Sequence, residues 1–401
     1  MNTYQMRLLD FYFGVPICLL LDLYNKLLRP IFRLFRLKKG GEVKNILVMK
    51  YFGLGSIILS SPMIRALRNK YPQAKILFFT FDSNKEIIDM FSLADKVVTL
   101  RANNFFLFIL DIIKAIFIFR KEGIDIAIDL EFFAKFSTIM TYVSGAPIRV
   151  GFYLRQMWRG NLLTQHVYYN PYHHIKEVFV SLAQAVEAPL KDLSISLPNI
   201  KKEDENYIDQ LLARENILPQ DKIICVNVNV SEMCEERRWP SANFARIIDE
   251  LNQINAGKII FIGSGKDKSS TNNVISILDL QDKVINLAGK LSLGQLAAIF
   301  KRTNLFITCD SGPLHLAVSL GTPTVSFFGP ETPVLYGPIG EEHLVFYKNL
   351  YCSPCLNVYN VKTAMYGEKR CFEGENKCIQ SISPEEVSKA IKEKFIDKWQ
   401  K

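Results

Sequence analysis

The chain has 401 residues, which is too many for one hydrophobic core of ordinary size and predicts two domains. Hydrophobic residues make up 49% of the sequence and charged residues 22%, a balance that excludes an intrinsically disordered protein. The formal net charge of +9 indicates an anionic partner, such as a membrane surface, a nucleotide or a phosphorylated sugar. Because the basic residues are not gathered into one run with aromatics between them, no nucleic-acid partner is predicted.

The first predicted element is a basic, apolar helix. Residues 1–45 hold eight basic and three acidic residues around an apolar run at 11–21. That run is about half of the ~20 residues that a membrane-spanning helix needs, and no small-residue cleavage site follows it. From Asp22 to Arg36 charged residues recur every three or four positions, with leucines on the opposite face. This pattern is typical of a helix that lies on a membrane surface, and the alternative is a helix packed on its own protein.

After this segment, short apolar runs alternate with helix-like stretches. An apolar segment at 105–119 is interrupted by Asp111 and Lys114, so we predict a helix packed on a sheet. A stretch rich in Pro and charge at 187–202 divides the alternation into two halves. The predicted strands are 45–50, 74–81, 96–100 and 125–131, then 223–230, 258–262, 284–287, 305–309 and 324–328.

Alternating strands and helices predict parallel sheets. The predicted fold class is therefore α/β, with two Rossmann-like doubly wound domains facing a central cleft and an N-terminal amphipathic helical segment. The predicted boundaries are 1–43 for the membrane-associating segment, 44–190 for the first domain and 191–401 for the second. Ligands of such sheets bind beyond the carboxyl ends of the strands, so we expect a binding site in the loops that follow the strands.

A glycine turn follows the first predicted strand. Gly53 and Gly55, with Ser56 after them, stand before a helix-like stretch, where backbone amides can approach an anion. The third glycine of the dinucleotide-binding fingerprint is replaced by the branched Ile58, which argues against a nucleotide-dependent oxidoreductase. The alternative interpretation is a tight turn between a strand and a helix.

A second polar segment follows the strand at 305–309. It reads Asp-Ser-Gly-Pro-Leu-His from Asp310 to His315, so Ser311 and Gly312 offer groups to an anion at a helix start. The imidazole of His315 could then stabilise charge that develops on a leaving group. This pattern predicts a diphosphate-binding site, and the alternative is a capped helix with a core histidine.

Two arginines follow the strand at 223–230. Arg237 and Arg238 precede Trp239 and Pro240, and a fork-shaped guanidinium suits the oxygens of a pyrophosphate. A solvated pair of charges is the alternative.

The eight cysteines do not form the dense pattern of a secreted disulfide scaffold in a chain of this length. Cys18, Cys225, Cys234 and Cys309 lie in apolar segments and are predicted to be small core residues. The spacing of the other four allows either a structural zinc site or reduced thiols in a loop-rich segment; they are Cys352, Cys355, Cys371 and Cys378.

Together these segments resemble the glycosyltransferases of the heptosyltransferase type, which build the core of bacterial lipopolysaccharide. The resemblance covers about residues 44–390 and is most specific at 310–315 and in the Arg-Trp-Pro element. It implies two Rossmann-like domains of the GT-B type, with an acceptor lipid sugar in the first and a nucleotide-sugar in the second. It also implies inverting transfer of a heptose-like or hexose sugar without a metal or another cofactor.

The resemblance fails at one position. In the family an Asp usually follows the glycine turn and accepts the proton of the acceptor hydroxyl, whereas this chain has Ser56, which has no useful basicity. Glu131 is predicted as the replacement, because it closes a strand of the first half and is expected to face the cleft, and Asp129 is the second choice. Arg238 and His315 complete the predicted catalytic residues. The predicted substrate-binding residues are Gly53, Gly55, Ser56, Arg237, Asp310, Ser311 and Gly312.

The sequence thus predicts a peripheral enzyme on the cytoplasmic face of the bacterial inner membrane. Its predicted partners are a nucleotide-sugar donor, a lipid-linked saccharide acceptor and the membrane surface. The alternative is a catalytically degenerate nucleotide-sugar-binding protein of the same fold, which the replacement at Ser56 keeps open.

Overall fold

The structure of the chain is a computed structural model that describes residues 3–33, 42–231, 234–356, 371 and 373–399. Its contacts divide it into two compact units, residues 1–196 and 197–401. Each unit is built around one sheet of six parallel strands.

The sheet of the first unit has the strand order β3-β2-β1-β4-β5-β6. This is the strand order of a doubly wound nucleotide-binding sheet. The chain begins at the centre of the sheet with β1, adds strands towards one edge, and then returns to the centre with β4 and adds strands towards the other edge. Strands this rich in Val, Ile, Leu and Phe can be covered by helices on both faces, as parallel sheets require. The strands are β1 (Asn45–Met49), β2 (Lys75–Phe81), β3 (Lys96–Leu100), β4 (Ile126–Asp129), β5 (Ile148–Phe152) and β6 (Gln165–Val167).

The described residues of the first unit form eight α-helices. Phe119 of the sixth and Met140 of the seventh are buried in one core cluster with Leu47 and Phe79 of the sheet, so these two helices cover the same face of the sheet. The helices are α1 (Thr3–Tyr12), α2 (Gly14–Arg33), α3 (Leu54–Leu59), α4 (Ser61–Lys70), α5 (Lys85–Met90), α6 (Phe105–Glu122), α7 (Lys135–Val143) and α8 (Ile175–Gln184).

The two N-terminal helices pack against α7. The carboxylate of Asp10 accepts hydrogen bonds from the backbone amides of Lys135 (3.0 Å) and Phe136 (2.7 Å), which are otherwise unsatisfied donors of the first turn of α7. Gly160, with φ +65°, approaches α2 so closely that a Cβ there would lie 2.9 Å from the carbonyl oxygen of Cys18. One face of the predicted amphipathic segment is therefore part of the first unit. The predicted basic residues Arg36, Lys38 and Lys39 lie outside the described residues.

The second unit repeats the same sheet plan. Its strand order is β12-β11-β10-β7-β8-β9, in which β7 and β10 hold the central places that β1 and β4 hold in the first sheet. The strands are β7 (Ile223–Asn227), β8 (Lys258–Phe261), β9 (Val284–Asn286), β10 (Leu305–Cys309), β11 (Thr324–Phe328) and β12 (His343–Tyr347).

Among the helices of the second unit, α10 packs against α16, a helix of eight residues near the C-terminal end of the described chain. The helices are α9 (Lys202–Arg214), α10 (Ser241–Gln253), α11 (Lys268–Ile275), α12 (Leu293–Arg302), α13 (Gly312–Ser319), α14 (Pro333–Tyr336), α15 (Lys377–Gln380), α16 (Pro384–Ile391) and α17 (Asp397–Trp399). The last two are joined by a π-helical segment, Lys392–Ile396.

The predicted fold class is confirmed, and all nine predicted strands are present. β4 ends at Asp129, so Glu131 lies in the loop and not in the strand. Sequence reasoning missed β5, β6 and β12. The reason is clearest in β5, where Arg149 and Gly151 interrupt the apolar run, and Arg149 is buried because its guanidinium donates to the carbonyl oxygens of Leu162 and Ala146.

Length and apolar character together decide whether a helix can cross a bilayer. Among the residues that the structure describes, no helix meets both conditions.

Candidate functional site

In both units the predicted site residues lie where the strand order turns back. The loops that follow β1 and β4, and those that follow β7 and β10, leave adjacent strands at the carboxyl edge of their sheet. Such a topological switch point is where doubly wound sheets bind their ligands.

In the second unit an ion pair joins the two switch-point loops. A guanidinium nitrogen of Arg237 lies 2.9 Å from Oδ2 of Asp310, and the side chains are only 15% and 6% exposed. A second guanidinium nitrogen donates to Oγ of Ser231 at 2.6 Å. Burial opposes the charge of Arg237, but Asp310 beside it outweighs burial and raises the pKa of the guanidinium above its ordinary value. Arg237 is thus held charged and oriented at this edge.

The neighbouring tryptophan fixes the position of this arginine. Trp239 is fully buried, stacks on Phe327 of β11 at a ring separation of 4.2 Å, and donates from its indole nitrogen to the carbonyl oxygen of Ile382. Its backbone amide also donates to Sγ of Cys309, the last residue of β10. The Arg-Trp-Pro element therefore places its arginines at the end of β10 because its tryptophan is part of the core.

The two arginines are not equivalent. Arg238 donates to Oδ1 of Asn229 at 3.4 Å, and Asn229 also donates to Oγ1 of Thr271 at 3.1 Å. Arg238, predicted as catalytic, contacts a polar network in the loop after β7. Arg237, predicted only to bind substrate, is the arginine that the structure brings to Asp310.

The first turn of α13 completes this edge. Ser311 precedes the helix, and its hydroxyl lies 2.9 Å from that of Thr308 in β10, while Gly312 begins the helix. The first backbone amides of a helix point towards its N-terminus and favour an anion there. His315 is buried in the same helix, with 4% of its surface exposed. The predicted contact of its imidazole with a leaving phosphate stays a prediction.

Sequence reasoning missed an acid at this edge. Glu331 follows the Phe-Gly-Pro turn after β11, is buried, and accepts a hydrogen bond from the amide of Thr332 at 3.0 Å. Burial, reinforced by the nearby charge of Asp310, raises the pKa of Glu331 to about 8. At neutral pH this carboxyl therefore holds its proton, which limits the negative charge around Asp310. The signal available in the sequence was an acidic residue directly after a turn at a strand end.

This raised pKa predicts a pH dependence of stability. Between the ordinary pKa of 4.5 and the raised value of about 8, the folded chain holds a proton on Glu331 that the unfolded chain has released. The free energy of unfolding is therefore expected to fall as pH rises through this window, by about 1 kcal/mol per pH unit. Glu331→Gln should remove this slope, and chemical denaturation at several pH values measures it. The matched control is Glu341→Gln, an exposed acid of the same unit; equal slopes in wild type and Glu331→Gln would contradict the assignment.

In the first unit another buried ion pair joins the switch-point loops. Oε1 of Glu131 accepts hydrogen bonds from Nζ of Lys50 (3.0 Å) and from the backbone amides of Tyr51 (2.8 Å) and Phe52 (3.0 Å). Both charged side chains are buried, at 3% and 0% exposure. Oε2 of Glu131 is buried without a hydrogen-bond partner.

This geometry corrects the prediction that the Glu131 carboxylate faces an open cleft. The carboxylate is buried in the first unit, with 0% of the residue exposed, and its role as the base stays a prediction. Its contacts instead hold the backbone that leads from β1 into the glycine turn. Asp129, the second choice, is also fully buried, paired with Arg159 and bonded to Ser137, and burial raises its pKa to about 6.

The glycine turn lies directly after this pair. Gly53 has φ +83°, a backbone conformation that a side chain would strain, and a Cβ there would lie 3.2 Å from Oγ of Ser56. Gly55 is buried in α3, and Ser56 is partly exposed one turn into the same short helix. Of the predicted residues in the first unit, Ser56 is therefore the one whose side chain reaches the surface beside the turn.

The cysteines fall into the two predicted groups. Cys18, Cys225, Cys234 and Cys309 are buried, as predicted for small core residues. The other four lie close enough for Cys378, Cys371 and Cys352 each to raise the pKa of Cys355, after the larger effect of burial. Within the described residues no group of three or more His, Cys, Asp or Glu side chains could hold a metal ion, and the choice between a zinc site and reduced thiols stays a prediction.

Comparison with known proteins gives a consistent result. The family model "Glycosyltransferase family 9 (heptosyltransferase)" matches residues 114–365. Lipooligosaccharide heptosyltransferase 2 of Campylobacter jejuni is 24% identical over 84% of this chain and 94% of its own length. Lipopolysaccharide heptosyltransferase 2 of Salmonella typhimurium is 23% identical over 74% of this chain and 86% of its own length.

Solved structures share the fold. A family 9 glycosyltransferase from Veillonella parvula superposes with a TM-score of 0.73 at 23% identity, over 90% of this chain and 99% of that one. The ADP-heptose lipopolysaccharide heptosyltransferase II of Escherichia coli gives a TM-score of 0.68 at 20% identity, over 88% of this chain and 99% of that one.

Proposed function

The chain belongs to glycosyltransferase family 9, the heptosyltransferase family, and we propose that it transfers a heptose-like or hexose sugar from a nucleotide-sugar to a lipopolysaccharide-type or other lipid-linked saccharide, with inversion at the anomeric carbon. The curated relatives, which are lipopolysaccharide and lipooligosaccharide heptosyltransferases, support this acceptor class. As a glycosyltransferase, the protein must bind an activated sugar and separate it from its leaving group.

The observation that carries the proposal is the arrangement around Asp310 in the second unit. The charged Arg237 pairs with this residue, and α13, with its first backbone amides, begins two residues after it. Glu331, neutral at pH 7, adds no second negative charge. Fixed positive charge and helix-start amides are what a diphosphate needs from a protein. The donor's diphosphate is therefore proposed to bind at the start of α13.

The reaction is a displacement at the anomeric carbon. The acceptor oxygen forms a bond to that carbon as the bond to the phosphate oxygen breaks, and the nucleoside diphosphate leaves with the bonding electrons. Arg237 and the amides near Gly312 are proposed to stabilise the charge that grows on the phosphate, an effect whose removal costs about 10²–10³-fold in rate for one such donor. The proton of the acceptor hydroxyl must go to a base.

The base is the point on which a second candidate function depends. Ser56 stands where the family resemblance implies an Asp, and Glu131 is buried. These two observations favour a protein that binds a nucleotide-sugar but transfers it slowly or not at all. The two functions differ in turnover and not in donor binding.

One substitution separates these candidates. Ser56→Asp restores a carboxylate beside the glycine turn and is expected to raise the transfer rate by about 10²-fold or more, since a positioned general base supplies ~10²–10⁴-fold. Ser56→Ala should leave the wild-type rate nearly unchanged because the serine hydroxyl is not a base. The measurement is release of nucleoside diphosphate with and without acceptor, across a panel of nucleotide-sugars first ranked by thermal stabilisation.

The controls make the result interpretable. Donor affinity should be equal in wild type and both Ser56 variants, because the proposed donor residues lie in the second unit. Donor-dependent stabilisation without transfer in wild type and in Ser56→Asp would support the binding protein. Absence of stabilisation by every nucleotide-sugar would contradict both functions.

The location follows from the proposed acceptor. A lipid-linked saccharide is anchored in a membrane, so we propose that the enzyme works as a peripheral protein on the cytoplasmic face of the bacterial inner membrane. The basic, apolar N-terminal helices support attachment to such a surface.

A further inference from the structure

Helix α6 is apolar on both of its faces. Ala115 and Phe119 lie in the core against the sheet, as expected of a helix that covers a parallel sheet. On the opposite side Phe106 is 70% exposed and Phe117 is 68% exposed, and the residues between them continue the row at helical spacing. The exposed apolar residues of α6 are Phe105, Phe106, Ile109, Leu110, Ile113 and Phe117.

The outer face of α2 has the same character. Its inner face contacts α7, where Tyr142 donates to Oδ1 of Asn25 at 2.8 Å and Cys18 is fully buried. α6 and α7 cover the same face of the first sheet and touch through Phe108 and Phe136, whose rings lie 5.7 Å apart. α2 and α6 thus both pack beside α7 in the first unit. The exposed apolar residues of α2 are Ile17, Leu19, Leu20, Leu23, Tyr24 and Leu27.

The acidic residues of these helices are paired within the first unit, whereas some of their basic residues are exposed. Every acid of α1, α2 and α6 is neutralised within the first unit: Asp10 caps α7, Asp22 pairs with Lys26, Asp111 with Arg101, and Glu122 with Lys75 and Lys96. Basic side chains are exposed on α6 at Lys114 and Lys121. These helices therefore present apolar groups and positive charge, with their negative charge already paired.

We propose that the outer faces of α2 and α6 form a single docking surface for an anionic phospholipid bilayer. Large exposed apolar patches mark interaction sites in soluble proteins, and α2 and α6 each present a row of exposed apolar side chains. Aromatic and aliphatic side chains enter the boundary between headgroups and acyl chains, while lysines meet anionic headgroups. This proposal deepens the proposed peripheral attachment by adding α6 to the N-terminal helices, and it makes the attachment a property of the folded first unit.

The test compares three triple variants of the full-length protein. The first carries Phe106→Ser, Ile113→Ser and Phe117→Ser in α6, and the second carries Leu20→Ser, Leu23→Ser and Leu27→Ser in α2. The control carries Leu218→Ser, Ile254→Ser and Ile277→Ser, exposed apolar residues of the second unit. Co-sedimentation is measured with phosphatidylcholine vesicles that contain about one third phosphatidylglycerol, and with phosphatidylcholine alone.

The α6 and α2 variants are each expected to bind the phosphatidylglycerol vesicles at least tenfold more weakly than wild type, with the control variant unchanged. Lys114→Gln with Lys121→Gln should weaken binding to these vesicles more than to phosphatidylcholine alone. Thermal unfolding should match wild type in all variants, because exposed side chains contribute little to stability.

Three results would overturn the proposal. Wild-type vesicle binding by the α6 variant would confine attachment to α2, and equal losses in the control variant would remove the specificity of the surface. A wild-type dimer that the α6 variant converts to monomer, with vesicle binding unchanged, would show that a second copy of the chain covers this face. Transfer to a soluble saccharide acceptor, measured in the same variants, reports on the proposed function separately and is expected to stay at the wild-type rate.

Discussion

Replacement of Lys50 by Met is expected to lower the free energy of unfolding by about 3–5 kcal/mol. The substitution leaves the carboxylate of Glu131 charged and buried, with two backbone amides but no cation to compensate it. The backbone from Tyr51 to the glycine turn is then held by these two amide hydrogen bonds without the ion pair. Chemical denaturation measures the stability, and the transfer rate is expected to fall with it.

The partner substitution separates a positioning residue from a base. Glu131→Gln should destabilise the protein by a similar amount, because it leaves the ammonium of Lys50 buried and unpaired. The double variant with Lys50→Met and Glu131→Gln should recover part of this loss, since no unpaired charge remains. If Glu131 were the catalytic base, Glu131→Gln would instead abolish transfer at wild-type stability, and Lys50→Met would not abolish transfer.

Replacement of Arg237 by Met is expected to reduce the transfer rate by about 10²–10³-fold and to weaken donor binding. It removes the positive charge next to the start of α13 and leaves Asp310 buried without its partner. Arg237→Lys should restore only part of the rate, because an ammonium cannot donate to Asp310 and Ser231 with the geometry of a guanidinium fork. Steady-state kinetics with a ranked nucleotide-sugar measures both effects.

Arg238→Met is the matched control for this substitution. Its guanidinium donates to Asn229 and not to Asp310, so a smaller loss of rate is expected. If Arg238→Met proved the more damaging of the two, the donor site would have to be moved from Asp310 to the loop after β7. Retention of the wild-type rate in Arg237→Met would exclude Arg237 from the reaction.

The sheets could be predicted from the sequence because their central strands are continuous apolar runs. β10, for example, is predicted to the residue, since buried parallel strands read as near-continuous apolar runs. Among the missed strands, β5 and β12 contain polar residues, Arg149 and His343, that are buried against partners elsewhere in the chain, and β6 is a three-residue strand with two exposed positions. The guanidinium of Arg149 in β5 donates hydrogen bonds to carbonyl oxygens up to 13 residues away in the chain. The local sequence pattern does not predict such a contact.

The sequence predicted which segments lie at the site, but it did not predict which side chains in those segments contact one another. The pattern around Asp310 was correct in placing polar residues at a strand end, but it gave the catalytic role to Arg238 and only substrate binding to Arg237. Only the burial of Trp239 decides which arginine reaches Asp310. In the same way, Glu131 stood at the correct edge of the sheet, and its partnership with Lys50, 81 residues earlier, decided that it is buried.

The hydrogen bonds between Asp10 and the start of α7 have a consequence for synthesis on the ribosome. These groups are 125 residues apart in the chain, so α1 and α2 are made long before the helix that covers their inner face. At about 5–20 residues per second, roughly 6–25 seconds separate the two. During that interval both sides of the N-terminal helices are uncovered. We therefore expect the inner face of these helices to stay accessible to other binding partners, such as lipid or a chaperone, until α7 has been made.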